Sequence, residues 1–323
     1  MKIVFMGTPD FAVPTLRRLC ESGLAPVAVY AQPPRRQGRG LKVCQPPVAR
    51  VAEELGLTLR QPEVLQTQPE RAYLEGLECD AIVTAAYGKI FRRRLLELPR
   101  LGCINVHPSL LPRYRGLSPI NTAILRGEAT TGVTVYRMAR GVDAGPVLMQ
   151  ETADIRADDT CGSLSARLAV QGADLVCRTL RALEAGSLTP HEQDHDLASH
   201  APRLRRSDGR LDWRRPALQI ERMVRAFDPW PGTFSFYGDC RVKILRVRAV
   251  DDVHHAAPPG TLLQVGGDTP PLVAALPGSV ALLRVQRENC KAQEASAFCC
   301  GQRAKPGARL RGHPTPAGDG PDA

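Results

Sequence analysis

The sequence predicts an α/β protein in which an open, doubly wound and mostly parallel sheet is followed by a small β-barrel. In the first 150 residues, short apolar runs rich in Val, Ile and Ala alternate with helical stretches. Beyond residue 230, short strand-like runs separated by Gly and Pro follow one another. Strands that alternate with helices form parallel βαβ units, whereas successive short strands with turn residues between them form antiparallel barrels.

The strands of the predicted sheet are apolar runs too short to be helices. They lie at residues 2–6, 27–31, 81–86 and 103–107. Two further runs, at 131–138 and 146–152, are separated by only seven residues, which is too short for a helical crossover. These two are therefore predicted to pair as an antiparallel hairpin.

A long amphipathic helix from about 160 to 185 is predicted to close the first domain, with Asp159 or Thr160 as its cap and Gly186 as its stop. A polar stretch without apolar periodicity follows it, and then a helix around 216–227. The strand-like runs of the barrel lie at 233–237, 242–250, 260–265, 272–275 and 279–285. We predict a first domain at 1–189, a linker at 190–207, a second domain at 208–311 and a disordered tail at 312–323.

The composition is typical of a soluble globular protein. Of 323 residues, 43% are hydrophobic and 24% are charged, and the mean hydropathy is −0.20. No run approaches the roughly 20 apolar residues of a spanning helix, and Gly and Pro come too early for a signal peptide, so we expect a cytoplasmic protein. We separately expect it to be a monomer. Ten cysteines lie at irregular positions, and the one adjacent pair, at 299–300, has no second pair near it; this predicts reduced thiols and no metal site.

Positive charge is concentrated in one segment. The chain has 43 Lys and Arg against 33 Asp and Glu, a formal net charge of +10. Residues 200–250 alone contain twelve basic and five acidic side chains. This asymmetry is typical of a surface that binds polyanions, so nucleic acid is a candidate partner. The alternative is an arginine-rich composition that raises the charge without any partner.

Polar side chains lie where strands of the predicted sheet end, which is where open α/β sheets bind ligands. Gly7 lacks the rest of a Gly-x-Gly-x-x-Gly motif, and there is no Walker A motif, which argues against dinucleotide and P-loop sites. Asn105 and His107 are two residues apart on a strand and therefore point to the same face. Asp143, in the turn between the hairpin strands, is placed to reach the same rim.

This set of Asn, His and Asp suits the transfer of an acyl-type group. An amide donates to a developing oxyanion, an imidazole moves a proton, and a carboxylate holds and charges the imidazole. No Gly-x-Ser-x-Gly nucleophile accompanies them, so direct transfer to an external nucleophile is predicted. The alternative is that Asn105 and His107 only satisfy backbone groups at the end of a strand.

Several segments together resemble the formyltransferases that use 10-formyltetrahydrofolate. They are Gly-Thr-Pro-Asp-Phe-Ala at 7–12, Asn-Val-His-Pro-Ser-Leu-Leu-Pro-Arg-Tyr-Arg-Gly at 105–116, Thr-Gly-Val-Thr at 131–134 and Asp-Ala-Gly at 143–145. Three more segments, at 32–40, 208–213 and 225–232, resemble the members that formylate methionyl-tRNA. The resemblance covers about residues 1–311.

The resemblance implies a Rossmann-like formyltransferase domain and an OB-like C-terminal barrel that contacts tRNA. It implies transfer of a formyl group from 10-formyltetrahydrofolate, a cosubstrate, to the α-amine of initiator methionyl-tRNA for translation initiation, without a metal. The resemblance assigns catalysis to Asn105, His107 and Asp143. It assigns folate binding to Ser109, Leu110, Leu111, Pro112, Tyr87 and Gly88, and it implies a cis peptide bond before Pro112. It assigns tRNA binding to Arg35, Arg36, Arg39, Lys42, Arg203 and Arg206.

The segment after the second predicted strand contains Arg35, Arg36, Arg39 and Lys42 among Pro and Gly residues that resist regular structure. We expect an irregular loop that overhangs the rim carrying the candidate catalytic residues. The alternative is a solvated surface loop without a ligand.

Two other functions fit part of the sequence. A formyltransferase acting on a small amine, such as glycinamide ribonucleotide or a nucleotide sugar, needs the same three side chains but no basic second domain. A non-catalytic RNA-binding module needs only the basic half of the chain and leaves Asn105, His107 and Asp143 unused.

Overall fold

A computed structural model describes residues 1–37, 40, 42–65, 67–250, 255–265 and 269–313. They form two compact units. The first contains Met1–Ile120, Ala129–Ile155 and Ser163–Pro202, and the second contains Asn121–Glu128, Arg156–Gly162 and the described residues from Arg203 onward. Each unit is built on its own sheet.

Strands and helices alternate through the first unit, as the sequence predicts. The strands up to residue 202 are β1 (Ile3–Gly7), β2 (Ala28–Tyr30), β3 (Arg35–Gln37), β4 (Lys42–Cys44), β5 (Leu59–Arg60), β6 (Ala81–Ala85), β7 (Cys103–His107), β8 (Arg115–Gly116), β9 (Thr130–Arg137), β10 (Val147–Asp154) and β11 (His200–Ala201). The main sheet has seven strands in the order β10-β9-β7-β6-β1-β2-β5.

The main sheet is mostly parallel. β1, β2, β5, β6 and β7 run parallel to their neighbours in this group, whereas β9 pairs antiparallel with both β7 and β10. The predicted fold class and the predicted hairpin are therefore confirmed. Since the parallel strands are buried on both faces, they appear in the sequence as continuous apolar runs.

Six α-helices accompany the strands among the described residues of the first part of the chain. Those before residue 202 are α1 (Val13–Glu21), α2 (Pro47–Glu54), α3 (Gln68–Gly76), α4 (Arg93–Leu96), α5 (Pro119–Arg126) and α6 (Cys161–Glu184). In α6, apolar residues at helical spacing, including Leu164, Leu168, Leu175 and Val176, are buried. This confirms the long helix that the sequence places at about 160–185.

Gly172 on α6 brings this helix close to the strands of the site. A Cβ atom at this position would lie 2.6 Å from Val106 Cγ1 on β7 and 3.2 Å from Val133 Cγ1 on β9. Val106 is the residue between Asn105 and His107. The close approach of α6 therefore fixes the back of the strand from which these two side chains project.

Gly172→Ala is expected to lower the free energy of unfolding by about 1–2 kcal/mol, because overpacking against Val106 outweighs the higher helix propensity of Ala. Gly76→Ala is the matched control, since a Cβ at this helical glycine meets open space. Urea unfolding of both variants tests the contact: a Gly172→Ala protein as stable as Gly76→Ala would show that α6 is not packed this closely.

The second unit contains an antiparallel sheet that curls into a barrel. Its elements from residue 203 onward are α7 (Ala217–Ala226), β12 (Thr233–Tyr237), β13 (Cys240–Val250), β14 (Leu262–Gln264), β15 (Leu272–Ala274), β16 (Ser279–Arg287), β17 (Gln293–Glu294), α8 (Ala295–Gly301) and β18 (Leu310–Arg311). The order is β14-β15-β16-β13-β12-β18, and β17 pairs with β16.

Hydrogen bonds join the two ends of this strand order. Thr261, next to β14, forms a bridge with Arg309, next to β18, and Leu262 N donates to the Ala308 carbonyl at 2.7 Å. Alternate residues of β13, such as Val242 and Ile244, are buried. The predicted small C-terminal barrel is therefore confirmed. α8, β17 and β18 are additions that the sequence analysis did not predict.

Residues 190–202, which the composition places in the linker, make ordered contacts within the first unit. His191 forms a bridge with Val147, and β11 pairs in parallel with β8. Of the predicted tail, Gly312 and His313 are among the described residues and 314–323 lie outside them. In the described part of the chain, no helix is long and apolar enough to cross a membrane.

Candidate active site at the carboxyl edge of the sheet

Strand β7 carries two of the three candidate catalytic side chains. It lies between β6 and β9 in the main sheet, so its end is surrounded by neighbouring strands. Asn105 is half-buried, and His107 is only 4% exposed. Val106, which points to the other face, is covered by α6 at Gly172. The strand therefore offers Asn105 and His107 on one face and is anchored by the other.

Asp143 reaches His107 from the turn between β9 and β10. Its backbone has a φ of 51°, in the left-handed region that Asp tolerates better than most residues. Gly145 is required there, because a Cβ would collide with the Arg137 carbonyl. Asp143 Oδ2 accepts from the Gly116 N–H at 2.7 Å and lies 3.6 Å from His107 Nδ1. The structure thus brings together the three side chains selected from the sequence.

The orientation of the His107 ring is set by a backbone carbonyl. Nε2 lies 3.0 Å from the carbonyl oxygen of Tyr114, and a carbonyl only accepts hydrogen bonds, so Nε2 carries hydrogen. Tyr114 itself has a φ of 60°, and its N–H donates to Ser199 Oγ at 2.9 Å. Nδ1 is therefore the ring nitrogen that faces Asp143.

Tyr136 is a fourth member of the site that the sequence analysis missed. Its hydroxyl donates to Asp143 Oδ1 at 2.7 Å and accepts from Asn105 Nδ2 at 3.3 Å. Burial, and then the charge of Asp143, raises the pKa of Tyr136 well above its usual value, so the phenol stays protonated. The signal that identifies it is the pairing of β9 with β7, which sets Tyr136 directly opposite Asn105.

Thr84 at the other side of Asn105 was also missed. It lies on β6, opposite Asn105 in the parallel register, and is 2% exposed. Its hydroxyl donates to Asn105 Oδ1 at 2.6 Å. The Asn105 amide is therefore held at its oxygen by Thr84 and at its nitrogen by Tyr136.

Two buried residues from outside the main sheet, Arg115 and Gln193, hold the turn that carries Asp143. Gln193 Nε2 donates to the carbonyls of Asp143 at 2.9 Å and Gly145 at 2.6 Å, while its Oε1 accepts from Arg115 Nη2 at 2.7 Å. Arg115 and Gln193 are each 6% exposed. Nothing in the polar sequence around Gln193 indicates this role, because the contact joins residues about 50 positions apart.

The segment predicted to bind folate follows β7 directly. Thr134 Oγ1 donates to the Ser109 carbonyl at 2.6 Å and accepts from the Leu111 N–H at 3.1 Å, which fixes the course of the backbone. Ser109 and Leu111 are buried, whereas Leu110 and Pro112 are half-buried. The Leu111–Pro112 bond is cis, as the resemblance implies.

Tyr87 and Gly88 follow β6 at the same edge of the sheet. The Tyr87 side chain is 3% exposed and packs in the core with Phe91. Its carbonyl accepts from Gln32 Nε2 at 2.9 Å and from Thr8 Oγ1 at 3.3 Å. Tyr87 therefore offers backbone rather than its ring to this edge, next to the exposed Gly88.

The prediction of an irregular loop at 33–42 is wrong in part. Strands β3 and β4 pair as a short antiparallel ribbon, with Arg36 opposite Val43. Backbone hydrogen bonds can pair three residues on each strand without burying their polar side chains. Arg35, Arg36 and Lys42 are exposed on it, and Arg35 Nη2 donates to Gln32 Oε1 at 2.8 Å. Arg39 lies outside the described residues.

The remaining predicted tRNA-binding residues, Arg203 and Arg206, are exposed in the second unit. As for metals, the described ranges contain no group of three or more His, Cys, Asp or Glu side chains placed to hold an ion.

Two protein-family models and many curated relatives match this chain. The model of the formyl transferase family matches residues 1–180, and that of the formyl transferase C-terminal domain matches residues 203–303. A methionyl-tRNA formyltransferase of Geobacter metallireducens is 41% identical over 313 residues, which is 97% of this chain and 99% of the relative. One from Roseiflexus castenholzii is 44% identical, with the same shares covered.

The chain belongs to the methionyl-tRNA formyltransferase family. Among solved structures, an N-formyltransferase from Helicobacter canadensis, in complex with folinic acid and dTDP-3-aminofucose, has a TM-score of 0.64 at 18% identity. The match covers 87% of this chain and 99% of that one. At this level of identity, the likeness shows a shared fold.

Proposed function

We propose that this protein transfers the formyl group of 10-formyltetrahydrofolate to the α-amine of methionine esterified to initiator tRNA. The observation that carries the proposal is the 41–44% identity to methionyl-tRNA formyltransferases along nearly the whole chain, barrel included. The convergence of Asn105, His107 and Asp143 supplies a matching chemistry. Formylmethionyl-tRNA for translation initiation is the proposed product.

The proposed donor binds along the carboxyl edge of the sheet. A folate-derived donor is supported by the family and by the folinic acid in the complex from Helicobacter canadensis. In this chain, the half-buried Leu110 and Pro112 and the exposed Gly88 lie after the neighbouring strands β7 and β6. They give the pterin an apolar and a backbone surface beside Asn105.

In the proposed reaction, the amine nitrogen attacks the formyl carbon, and a new N–C bond replaces the bond from that carbon to folate N10. Negative charge develops on the formyl oxygen, where the Asn105 amide donates. The amine loses one proton, and folate N10 gains one. His107 acts here as the imidazolium, which carries hydrogen on both ring nitrogens: Nε2 donates to the Tyr114 carbonyl, and Nδ1 delivers its proton to N10. The Asp143 carboxylate takes up the proton that the amine loses, through water, and returns it to Nδ1.

We further propose that a first domain at 1–189 performs the chemistry and a second domain at 208–311 contributes to tRNA binding, joined by residues 190–207. The twelve basic side chains among residues 200–250 support this division. In the first unit, the exposed Arg35, Arg36 and Lys42 on the β3–β4 ribbon are proposed to contact tRNA phosphates. Arg39, Arg203 and Arg206 are assigned the same role.

The double variant Arg36→Ala/Lys42→Ala is expected to lower kcat/KM for methionyl-tRNA about tenfold near 0.1 M salt and to reduce the slope of log kcat/KM against log salt by about two. KM for the folate donor should stay unchanged. Arg178→Ala/Arg181→Ala on α6 removes the same charge from exposed sites and is the control. Equal losses in both variants would show a net-charge effect and remove the ribbon from the tRNA contact.

Formyl transfer from 10-formyltetrahydrofolate to methionyl-tRNA, free methionine and a dTDP-aminosugar tests the proposed function. We expect rapid formylation of methionyl-tRNA and at least about 10³-fold lower kcat/KM for the two small amines, because neither engages the basic surfaces. Preferred formylation of the aminosugar would replace the proposal by the small-amine alternative. A protein that binds tRNA without transferring formyl would support the non-catalytic module.

A further inference from the structure

Among the described residues, the Asn105 side chain has a partner for its oxygen and for one of its two N–H groups. Asn105 Oδ1 accepts from Thr84 Oγ1 at 2.6 Å, and Nδ2 donates to the Tyr136 hydroxyl at 3.3 Å. A side-chain amide has two N–H donors. The second N–H is the group left to act on a ligand, so its direction depends on how the other two bonds hold the amide.

The direction of hydrogen bonding at Tyr136 determines which way round the amide lies. Asp143 Oδ1 is a carboxylate oxygen that only accepts, so the single proton of the phenol is donated to it, at 2.7 Å. The phenol oxygen then only accepts from Asn105. A rotated amide would set its carbonyl oxygen against that phenol oxygen, where neither atom has a hydrogen to donate, so this bond would be lost. The Thr84 hydroxyl can donate to an oxygen or accept from an NH₂, so Thr84 anchors the amide and Tyr136 decides which way round it lies. Tyr136 and Thr84 are buried, which raises the cost of this mispairing.

We propose that Tyr136, together with Thr84, is a positioning residue that orients the Asn105 amide toward the formyl oxygen and ties it to Asp143. The inference rests on the proposed function for the identity of the ligand. The three residues lie on three adjacent strands: Thr84 on β6, Asn105 on β7 and Tyr136 on β9. Sheet register therefore aligns a chain of donors, from the Asn105 N–H through the Tyr136 O–H to the Asp143 carboxylate.

Formyl-transfer kinetics of isosteric variants test the positioning role. Tyr136→Phe is expected to lower kcat about 10- to 100-fold, the equivalent of one hydrogen bond to a charged group, and Thr84→Val about three- to tenfold, that of a neutral one. KM for both substrates should change less than about twofold, since neither side chain touches a substrate. Thr84→Ser keeps the hydroxyl and should restore kcat.

Tyr30→Phe is the matched control. Tyr30 is a fully buried tyrosine of the same unit whose hydroxyl donates to a carboxylate oxygen of Glu70 at 3.1 Å, so this variant loses the same kind of bond away from Asn105. It should lower the unfolding midpoint and leave kcat unchanged. A Tyr136→Phe protein whose kcat stays within about twofold of wild type, or falls no further than that of Tyr30→Phe, would overturn the proposal.

A double-mutant cycle separates positioning from a general structural effect. In the Asn105→Ala background, Tyr136→Phe should lower kcat by a factor at least about threefold smaller than in the wild type, because the amide it orients is gone. The same factor in both backgrounds contradicts the proposal. The wild-type rate with methionyl-tRNA tests the proposed function by itself. The ratio of each variant's kcat to that of the wild type tests the role of Tyr136, and it can be measured with any acceptor that the wild type uses, or from hydrolysis of the formyl donor by water.

Discussion

Asn105→Ala is expected to lower kcat for formyl transfer by about 10²–10³-fold, the usual cost of removing one oxyanion donor. The Asn105 amide is held at one oxygen and one N–H by buried partners, so its remaining donor is preorganised for the transition state. KM for folate and for methionyl-tRNA should change little, since this donor matters most when charge develops on the formyl oxygen. Steady-state kinetics with each substrate varied in turn measure both effects.

Asn121→Ala serves as the control for this variant. Asn121 is an asparagine of the second unit whose Nδ2 donates to the Ala226 carbonyl at 2.6 Å, so its loss should cost stability and leave kcat unchanged. Unfolding midpoints establish that both variants are folded. If folded Asn105→Ala turns over at a rate near that of wild type, Asn105 is a structural residue at the end of β7 and the oxyanion role is wrong.

The architecture was predictable because each element carries its own pattern. The parallel strands are apolar runs buried on both faces, and the spacing of Leu164, Leu168 and Leu175 marks α6. The β3–β4 ribbon was not predictable, because its strands are short and polar and their pairing depends on backbone hydrogen bonds rather than on burial. The same holds for β17 and β18, which are two residues long.

The part of the site that was predictable consists of residues close together in the sequence or in a recognisable turn. Asn105 and His107 are two apart on one strand, and Asp143 lies in the short turn that joins the two predicted hairpin strands. Tyr136 and Gln193 contribute through contacts across strands and loops, and such partners follow from strand register and chain packing rather than from local spacing. A sequence alone gives residue types, whereas the pairing of β7 with β9 gives the neighbour that each residue meets.

His107→Ala and Asp143→Ala are each expected to lower kcat by about 10²–10⁴-fold, the range of general acid–base contributions. The His107 ring is buried, and its Nδ1 faces the Asp143 carboxylate at 3.6 Å. Without the imidazole, no group at this position delivers a proton to folate N10. Without the carboxylate, the imidazolium loses the charge that stabilises it, and the turn loses its bonds to Gly116 and Tyr136.

The double variant His107→Ala/Asp143→Ala should have a kcat close to that of the slower single variant. The two groups act as one unit, so once either is removed, removing the other causes little further loss of kcat. His191→Ala, at an exposed histidine of the same unit, controls for loss of an imidazole elsewhere and should keep wild-type kcat. Two losses that multiply in the double variant would mean that His107 and Asp143 serve independent steps, and the proposed return of the amine's proton from Asp143 to Nδ1 would then be wrong.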